Sequence, residues 1–307
     1  MPVKSILRSD DRRGGRKLET HTSGRETTMG SFSRSWQITK LAFSVIGQDK
    51  EMLLFPSIAY IAALIVPSGV LALLGGDGEA DAALSILQYA LLFVTYLGLA
   101  FIATFFNVCV VYTTKTRFEG GDASFMDSIT FALSKLGVIF QWSLIAATVG
   151  LLLVIIHRLA RRMGGAGQIV LEIVRSILGM MWSIITIFVV PTLVYEDVSP
   201  MDAIKRSTEV IKRTWGESLI RHFGLGLIQF FCVLGAVALT VGLVMVMPTG
   251  VGTIIAISVG GICILGVVLV FNVANTIFNT ALYVYASTRE EPAAFGNDTL
   301  ANAFQVQ

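Results

Sequence analysis

The chain has 307 residues, of which 54% are hydrophobic and only 14% charged, with a mean hydropathy of +0.73. Ordinary soluble domains carry about 25% charged residues, so this composition excludes a typical water-soluble protein and points to a polytopic membrane protein. The net charge of +2 is small, and the three cysteines, Cys109, Cys232 and Cys263, each lie in an apolar run without metal-type spacing. They read as small packing residues.

Residues 1–30 form a polar, basic tail with seven Lys or Arg and no apolar core of the kind a secretory signal needs. Its composition is that of a disordered tail. A nucleic-acid or anionic-lipid arm is the sharper alternative, but nothing in the spacing favours it, and no nucleic-acid partner is expected. From Ser31 the character changes: Trp36, Ile38, Leu41, Ala42 and Val45 recur at helical spacing with Lys40 among them. This is an amphipathic helix suited to the membrane interface. Two apolar runs follow, 53–74 and 86–112, joined by the acidic stretch 75–81, which lacks Lys and Arg. Each is long enough for a hydrocarbon core of about 30 Å. Pro56 and Pro67 predict bends in the first.

A second unit opens at Asp122-Ala123-Ser124-Phe125-Met126-Asp127-Ser128-Ile129. A third opens at Asp197-Val198-Ser199-Pro200-Met201-Asp202-Ala203-Ile204, which starts 75 residues later and is identical at five of eight positions. In each, a serine stands as N-cap (Ser124, Ser199) and an acid three residues on (Asp127, Asp202) closes a capping box. Pro200 takes the first helical position of the third unit. Ser31 to Trp36 is a weaker version of the same opening. Each helix leads into a pair of spans, 137–156 with 173–195 and then 223–247 with 254–286, before a tail at 288–307. The third helix is the most amphipathic: Met201, Ile204, Ile211, Trp215 and Leu219 share an apolar face, while Lys205, Glu209 and Arg213 form an i, i+4, i+8 ladder.

With six spans and the N-terminus inside, the inner segments hold 19 of the 23 basic residues and the outer loops three, Arg158, Arg161 and Arg162. That bias places both termini in the cytoplasm and the protein in the cell membrane. The fold class is all-α: a membrane helix bundle, 31–287, built from three copies of interfacial helix plus transmembrane hairpin.

The inner ends of the even-numbered spans carry a further recurrence. Asn107 precedes Tyr112, Pro191 precedes Tyr195, and Asn279 precedes Tyr283 and Tyr285, each by about a turn. Tyrosine at this depth buries its ring in acyl chains and reaches headgroups with its hydroxyl. These tyrosine-ended spans, the break Glu119-Gly120-Gly121-Asp122, the Ser-x-x-Asp helices and the turn Trp215-Gly216 resemble a family of uncharacterised six-span prokaryotic membrane proteins. The chain is similar, more loosely, to the membrane domain attached to some glycerophosphodiester phosphodiesterases. The resemblance implies a fold and a location and carries no activity; no stretch is long and polar enough to hold the phosphodiesterase barrel.

Candidate chemistry lies first in the spans, where an amide must find a partner. Asn272, Asn275 and Asn279 fall on one helical face at i, i+3, i+7, and Asn107 can meet them from a related depth. They serve as interhelical hydrogen-bonding groups, or, with Gln141 and Gln229, line a path for a polar solute. Gly252, Ala256 and Gly260, with Ala238 to Gly242 on the preceding span, allow close helix approach. Lys205, Arg206, Lys212 and Arg213 beside Trp215 are candidate contacts for lipid phosphates, as are Arg158, Arg161 and Arg162 beside His157 at the other end. No nucleotide loop, zinc motif or nucleophile elbow is present, and His21, His157 and His222 lie in separate segments. The expected protein is not an enzyme and needs no cofactor or metal. It works through contacts of its interfacial helices with membrane lipids, anionic ones first, or with a protein partner or second copy. The alternative is a transporter of a small solute or lipid along the asparagine face; a lipid enzyme is a distant third.

Overall fold

The structure is a computed structural model that describes residues 43–73, 86–215, 224–247 and 250–288. The basic tail, Trp36 with most of the first interfacial helix, the 75–81 turn, Leu219 and the C-terminal tail lie outside these residues. So do the side chains of Arg213 and Trp215. Every described element is helical.

A short helix α1 (43–48) and a 3-10 turn, Lys50–Leu53, lead into α2 (Leu54–Leu73), which runs unbroken through Pro56 and Pro67. Pro56 lies in its first turn, where a missing N–H costs little. α3 (Ile86–Phe118) ends where glycine permits it: Gly120 has φ +81°, its N–H donates to Arg117 C=O (3.1 Å), and Gly121 N–H donates to Thr116 C=O (2.8 Å). This is a Schellman end, which satisfies carbonyls that the last turn leaves open. Three residues later Ser124 caps α4 (Phe125–Ser134). Its Oγ accepts from Asp127 N–H (3.2 Å), while Asp127 Oδ2 accepts from Ser124 N–H (3.0 Å). α8 (Pro200–Trp215) starts alike, with Ser199 Oγ accepting from Asp202 N–H (3.3 Å).

Between them lie α5 (Leu136–Met163), α6 (Gly165–Ile185) and α7 (Val189–Tyr195). The hairpin turns at Gly164 and Gly165, both at positive φ (63° and 52°). The loop expected at 157–172 is therefore absent: helix continues through Arg158, Arg161 and Arg162, because a glycine pair reverses the chain without a polar loop. The expected span 173–195 is likewise one helix from Gly165 with a break at 186–188. Pro191 causes that break, having no N–H for the carbonyl of Ile187 and a ring that clashes with it. The chain closes with α9 (Gly224–Val246) and α10 (Gly250–Thr288).

Among the described residues five helical stretches are long and apolar enough to cross a membrane: Ile86–Phe118, Leu136–Met163, Gly165–Tyr195, Ile228–Val246 and Gly250–Val284. The chain is a helical membrane protein. α10, at 39 residues, is about 58 Å long and overshoots a hydrocarbon core of about 30 Å. α3 is the hub, packing on α2, α4, α5, α7 and α10. The largest buried cluster gathers Met52 and Phe55, Val108 to Val111, Ile139, Val190, Val194 and the Val273–Ala281 stretch of α10. Burial is thus concentrated near α4 and α8, here called the capped end. Elsewhere helices expose large apolar side chains, as Leu64 on α2, Ile177 on α6, Phe230 on α9 and Ile262 on α10 do. Cys109 is in the core, whereas Cys232 and Cys263 are exposed and are not packing residues within this chain.

Candidate functional site

At the capped end, segments far apart in sequence are tied by charge. Arg117 Nε and Nη2 donate to the two carboxylate oxygens of Asp49 at 2.5 Å each, and Nη2 also reaches Asp122 at 2.5 Å. Asp49 is only 11% exposed, so this bidentate pair is partly desolvated. Phe125 N–H, a first-turn donor with no intrahelical acceptor, donates to Glu51 Oε2 (3.1 Å). Lys135 Nζ donates to Asp197 Oδ1 (2.7 Å), which joins the end of α4 to the start of the α8 cap. Glu196 Oε1 accepts from Tyr283 Oη (2.5 Å) and from Arg206 Nε (3.2 Å), which ties α7, α8 and α10 together. The Lys115 ammonium lies 4.9 Å over the Tyr195 ring.

These pairs change the picture of α8. Lys205 pairs with Asp202 (3.0 Å) and Arg206 with Glu209 (3.6 Å), both at i, i+3, in place of the expected Lys205–Glu209 rung; the Glu209–Arg213 rung lies outside the described side chains. Its buried face is Ala203, Ser207 and Val210, with Ile204 and Ile211 at the edges and Met201 exposed. Small residues let α8 lie close against the spans, while Met201 is turned away. Lys212 is exposed, as are Lys205, paired with Asp202, and Arg206, paired with Glu196 and Glu209.

At the far end His157 Nδ1 contacts Glu172 Oε1, and Arg175 Nε donates to Glu172 Oε2 (2.7 Å). Glu172 sits inside α6, not in a loop, so an acidic group does lie within an apolar helix; the i, i+3 spacing of Glu172 and Arg175 is the signal that marks such a pair. Arg158 is half-buried, and Arg161 and Arg162 are exposed on the last turn of α5. Among the described residues no group of three His, Cys, Asp or Glu side chains is placed to hold a metal ion.

The asparagines divide. Asn107 and Asn272 border one cavity of about 290 Å³ between α2, α3 and α10. Thr276 Oγ1 donates to Asn107 Oδ1 (3.4 Å), and Asn272 Nδ2 donates to Tyr60 Oη (3.4 Å), both long bonds. Asn275 and Asn279 do not line this cavity; the first is exposed and the second half-buried. Gln141 is exposed on α5 and Gln229 half-buried on α9. The close approach of α9 and α10 brings Gly260 against Thr240, and Ala256 and Ala236 are buried on the same two helices. Ala238 and Gly242, two residues along and so on another face of α9, are exposed.

Comparison with protein families matches residues 86–292, well over half of the chain, to the DUF6159 family, a family of unknown function. The chain belongs to this DUF6159 family. No curated protein matches it. The DUF6159 segment runs from the start of α3 to just past α10 and so contains Asn107, Asn272, both Ser-x-x-Asp caps and the Glu196 junction. Asp49, Glu51 and Tyr60 precede it. The DUF6159 part of the bundle therefore meets residues outside the match at the Arg117–Asp49 pair and at the cavity wall.

The carboxylates of the rim are tuned by their partners. Lys135 holds Asp197 below its ordinary range by hydrogen bond and charge. Ser199 and then Lys205 do so for Asp202, and Ser124 for Asp127. A carboxyl whose pKa is lowered on folding adds stability that is complete above its unfolded value, about 3.9, and lost as pH falls through the folded one. Amide hydrogen exchange in the first turns of α4 and α8, corrected for intrinsic rates, is expected to rise as pH drops below about 4. Uniform protection at both ends of that range would contradict this assignment of the caps.

Proposed function

We propose that this chain is a six-span protein of the plasma membrane, with both termini cytoplasmic, that acts without catalysis as a platform for anionic lipid headgroups. α2 supplies the sixth span: its 20 residues give about 30 Å of helix. The repeated Ser-x-x-Asp openings of α4 and α8 support an organisation in three units. Orientation rests on the bias of Lys and Arg toward the capped end. One observation carries the functional reading. The ion pairs Arg117–Asp49, Lys135–Asp197 and Arg206–Glu196 hold the interfacial helices on the spans, so the basic face of α8 is presented as a fixed surface. A preorganised surface loses less entropy on binding than a mobile tail.

A second reading, passage of a solute or lipid along the amides, draws support from the cavity beside Asn107 and Asn272. It is weakened because Asn275 and Asn279 stand apart from that cavity, leaving no continuous line of amides. The test is native mass spectrometry of the full chain extracted gently from its own membrane. Wild type is expected to retain anionic lipid, and a Lys205→Gln, Lys212→Gln variant to retain about tenfold less, since each surface cation contributes about 1 kcal/mol and Lys205 shares its charge with Asp202. Equal retention by both, or a stoichiometric polar solute in place of lipid, would overturn the platform reading. A specific protein partner lost with these lysines would redirect it from lipid to protein.

A further inference from the structure

The cavity between α2, α3 and α10 holds a chemistry that the rim does not use. Seven of its ten lining residues are apolar, and the other three, Tyr60, Asn107 and Asn272, are uncharged groups that each donate and accept hydrogen bonds. None of the ten is acidic or basic. The volume of about 290 Å³ stands at the lower edge of small-ligand sites, about 300–1,000 Å³. Asn272 borders it and is exposed, so the cavity opens beside α10 to the surroundings of the bundle.

Depth adds a constraint. Asn272 lies 16 residues before the end of α10 at Thr288, or about 24 Å, and 11 residues before Tyr283, whose hydroxyl meets Glu196 at the capped end. An amide there faces hydrocarbon, where an unmatched polar group costs several kcal/mol. Its bond to Tyr60 is 3.4 Å long, and Asn107 receives one equally long bond from Thr276, so both amides retain donors and acceptors for a further partner. Water alone would find mostly apolar walls. A phosphate or carboxylate would be desolvated with no cation to meet it.

We propose that this cavity is a binding site for an uncharged amphiphile that enters from the membrane. An apolar chain lies against the wall formed by Ala59, Ala63, Leu99 and Ala103, and a hydroxyl sits among Tyr60, Asn107 and Asn272. A hydroxyl both donates and accepts, which matches two amides and a phenol better than a carbonyl does. The neutral lipids that carry such a group are diacylglycerols and long-chain alcohols. This site is independent of the headgroup platform, since it shares no residue with the rim.

The full chain in phosphatidylcholine nanodiscs is exposed to three photoreactive probes with the same diazirine acyl or alkyl chain: a diacylglycerol, the corresponding phosphatidic acid and a plain alkane. The diacylglycerol is expected to label α2, α3 and α10 at the cavity at least tenfold more than the other two. Asn272→Leu is expected to weaken that labelling about fivefold, the equivalent of one neutral hydrogen bond. Ala103→Phe, which fills the space, is expected to abolish it. A fourth probe, a long-chain alcohol on the same diazirine chain, that labels the cavity where the diacylglycerol does not would assign the source to single-chain alcohols. Equal labelling by the alkane would show a void that merely takes hydrocarbon, and preference for phosphatidic acid would show an anionic site; either overturns the proposal. Should Ala103→Phe fail to fold, Ala63→Phe fills the same space from α2, and the probe comparison on wild type decides without any variant.

Discussion

Ser207→Ala is expected to destabilise the protein by about 1–3 kcal/mol, a large effect for removal of one oxygen. The hydroxyl is fully buried and bridges the break that Pro191 makes between α6 and α7. It donates to Ile185 C=O (2.5 Å) and accepts from Phe188 N–H (3.3 Å). In an unbroken helix both groups would have found partners four residues away; at the break an α8 side chain takes that place. Alanine fits the same space but removes the bridge, and the Ile185 carbonyl at the break loses the donor that Ser207 supplied, at about 1–3 kcal/mol for a carbonyl so left. Because Ser207 belongs to α8, hydrogen-exchange protection of α8 should fall together with that of 185–195. Pro191→Ala supplies the control. With an N–H restored at 191 the helix can close over the break, so Ser207→Ala should cost less in that background, with a coupling of about 1–2 kcal/mol in a double-mutant cycle. A cost for Ser207→Ala below about 0.5 kcal/mol, within the range of surface changes, would mean that the hydroxyl bridges nothing of consequence.

What can be read without coordinates follows the range of each interaction. A Ser-x-x-Asp cap is complete within four residues, so Ser124–Asp127 and Ser199–Asp202 carry their own geometry. Long apolar runs announce membrane-crossing helices for the same local reason. Faces are harder, because hydrophobicity marks opposite sides in water and in lipid: in a bilayer the large apolar residues turn outward and small ones meet the neighbouring helix. On α8 the strongest apolar pattern includes Met201, which is exposed, while Ala203, Ser207 and Val210 are buried. On α9 the same effect moves the contact from Ala238 and Gly242 to Thr240, which meets Gly260. Glu172 falls outside a span drawn by hydropathy from Ile173, because nothing local shows that His157 and Arg175 accompany it. Asn107 and Asn272 share a cavity only through the packing of α2, which brings Tyr60 between them. Asn275 and Asn279, on the same face of the same helix, lack that neighbour.

Gly260→Ala is expected to cost about 3 kcal/mol, although the same change elsewhere in a helix is neutral or favourable. A Cβ on Gly260 would stand 2.1 Å from Thr240 Oγ1, 2.4 Å from Cγ2 and 2.7 Å from Cβ. A rotamer change could move the first two atoms but not the third, so the helices themselves must separate. α9 packs principally against α10, so this separation loosens the whole hairpin and not one contact. Gly261, the next residue, has nothing within 4 Å of its ideal Cβ. Gly261→Ala should therefore be neutral or stabilising by up to about 1 kcal/mol through helix propensity. The Thr240 hydroxyl donates to Ala236 C=O within its own helix (2.7 Å); removing it breaks no bond between helices. Thr240→Gly should then restore most of what Gly260→Ala loses, while Thr240→Ala, which keeps the Cβ, should restore less. Thermal unfolding in one detergent, read on all five proteins including wild type, separates these cases. If Gly260→Ala and Gly261→Ala behave alike, α9 and α10 do not meet at Thr240, and the small-residue contact must be sought on another face of the hairpin.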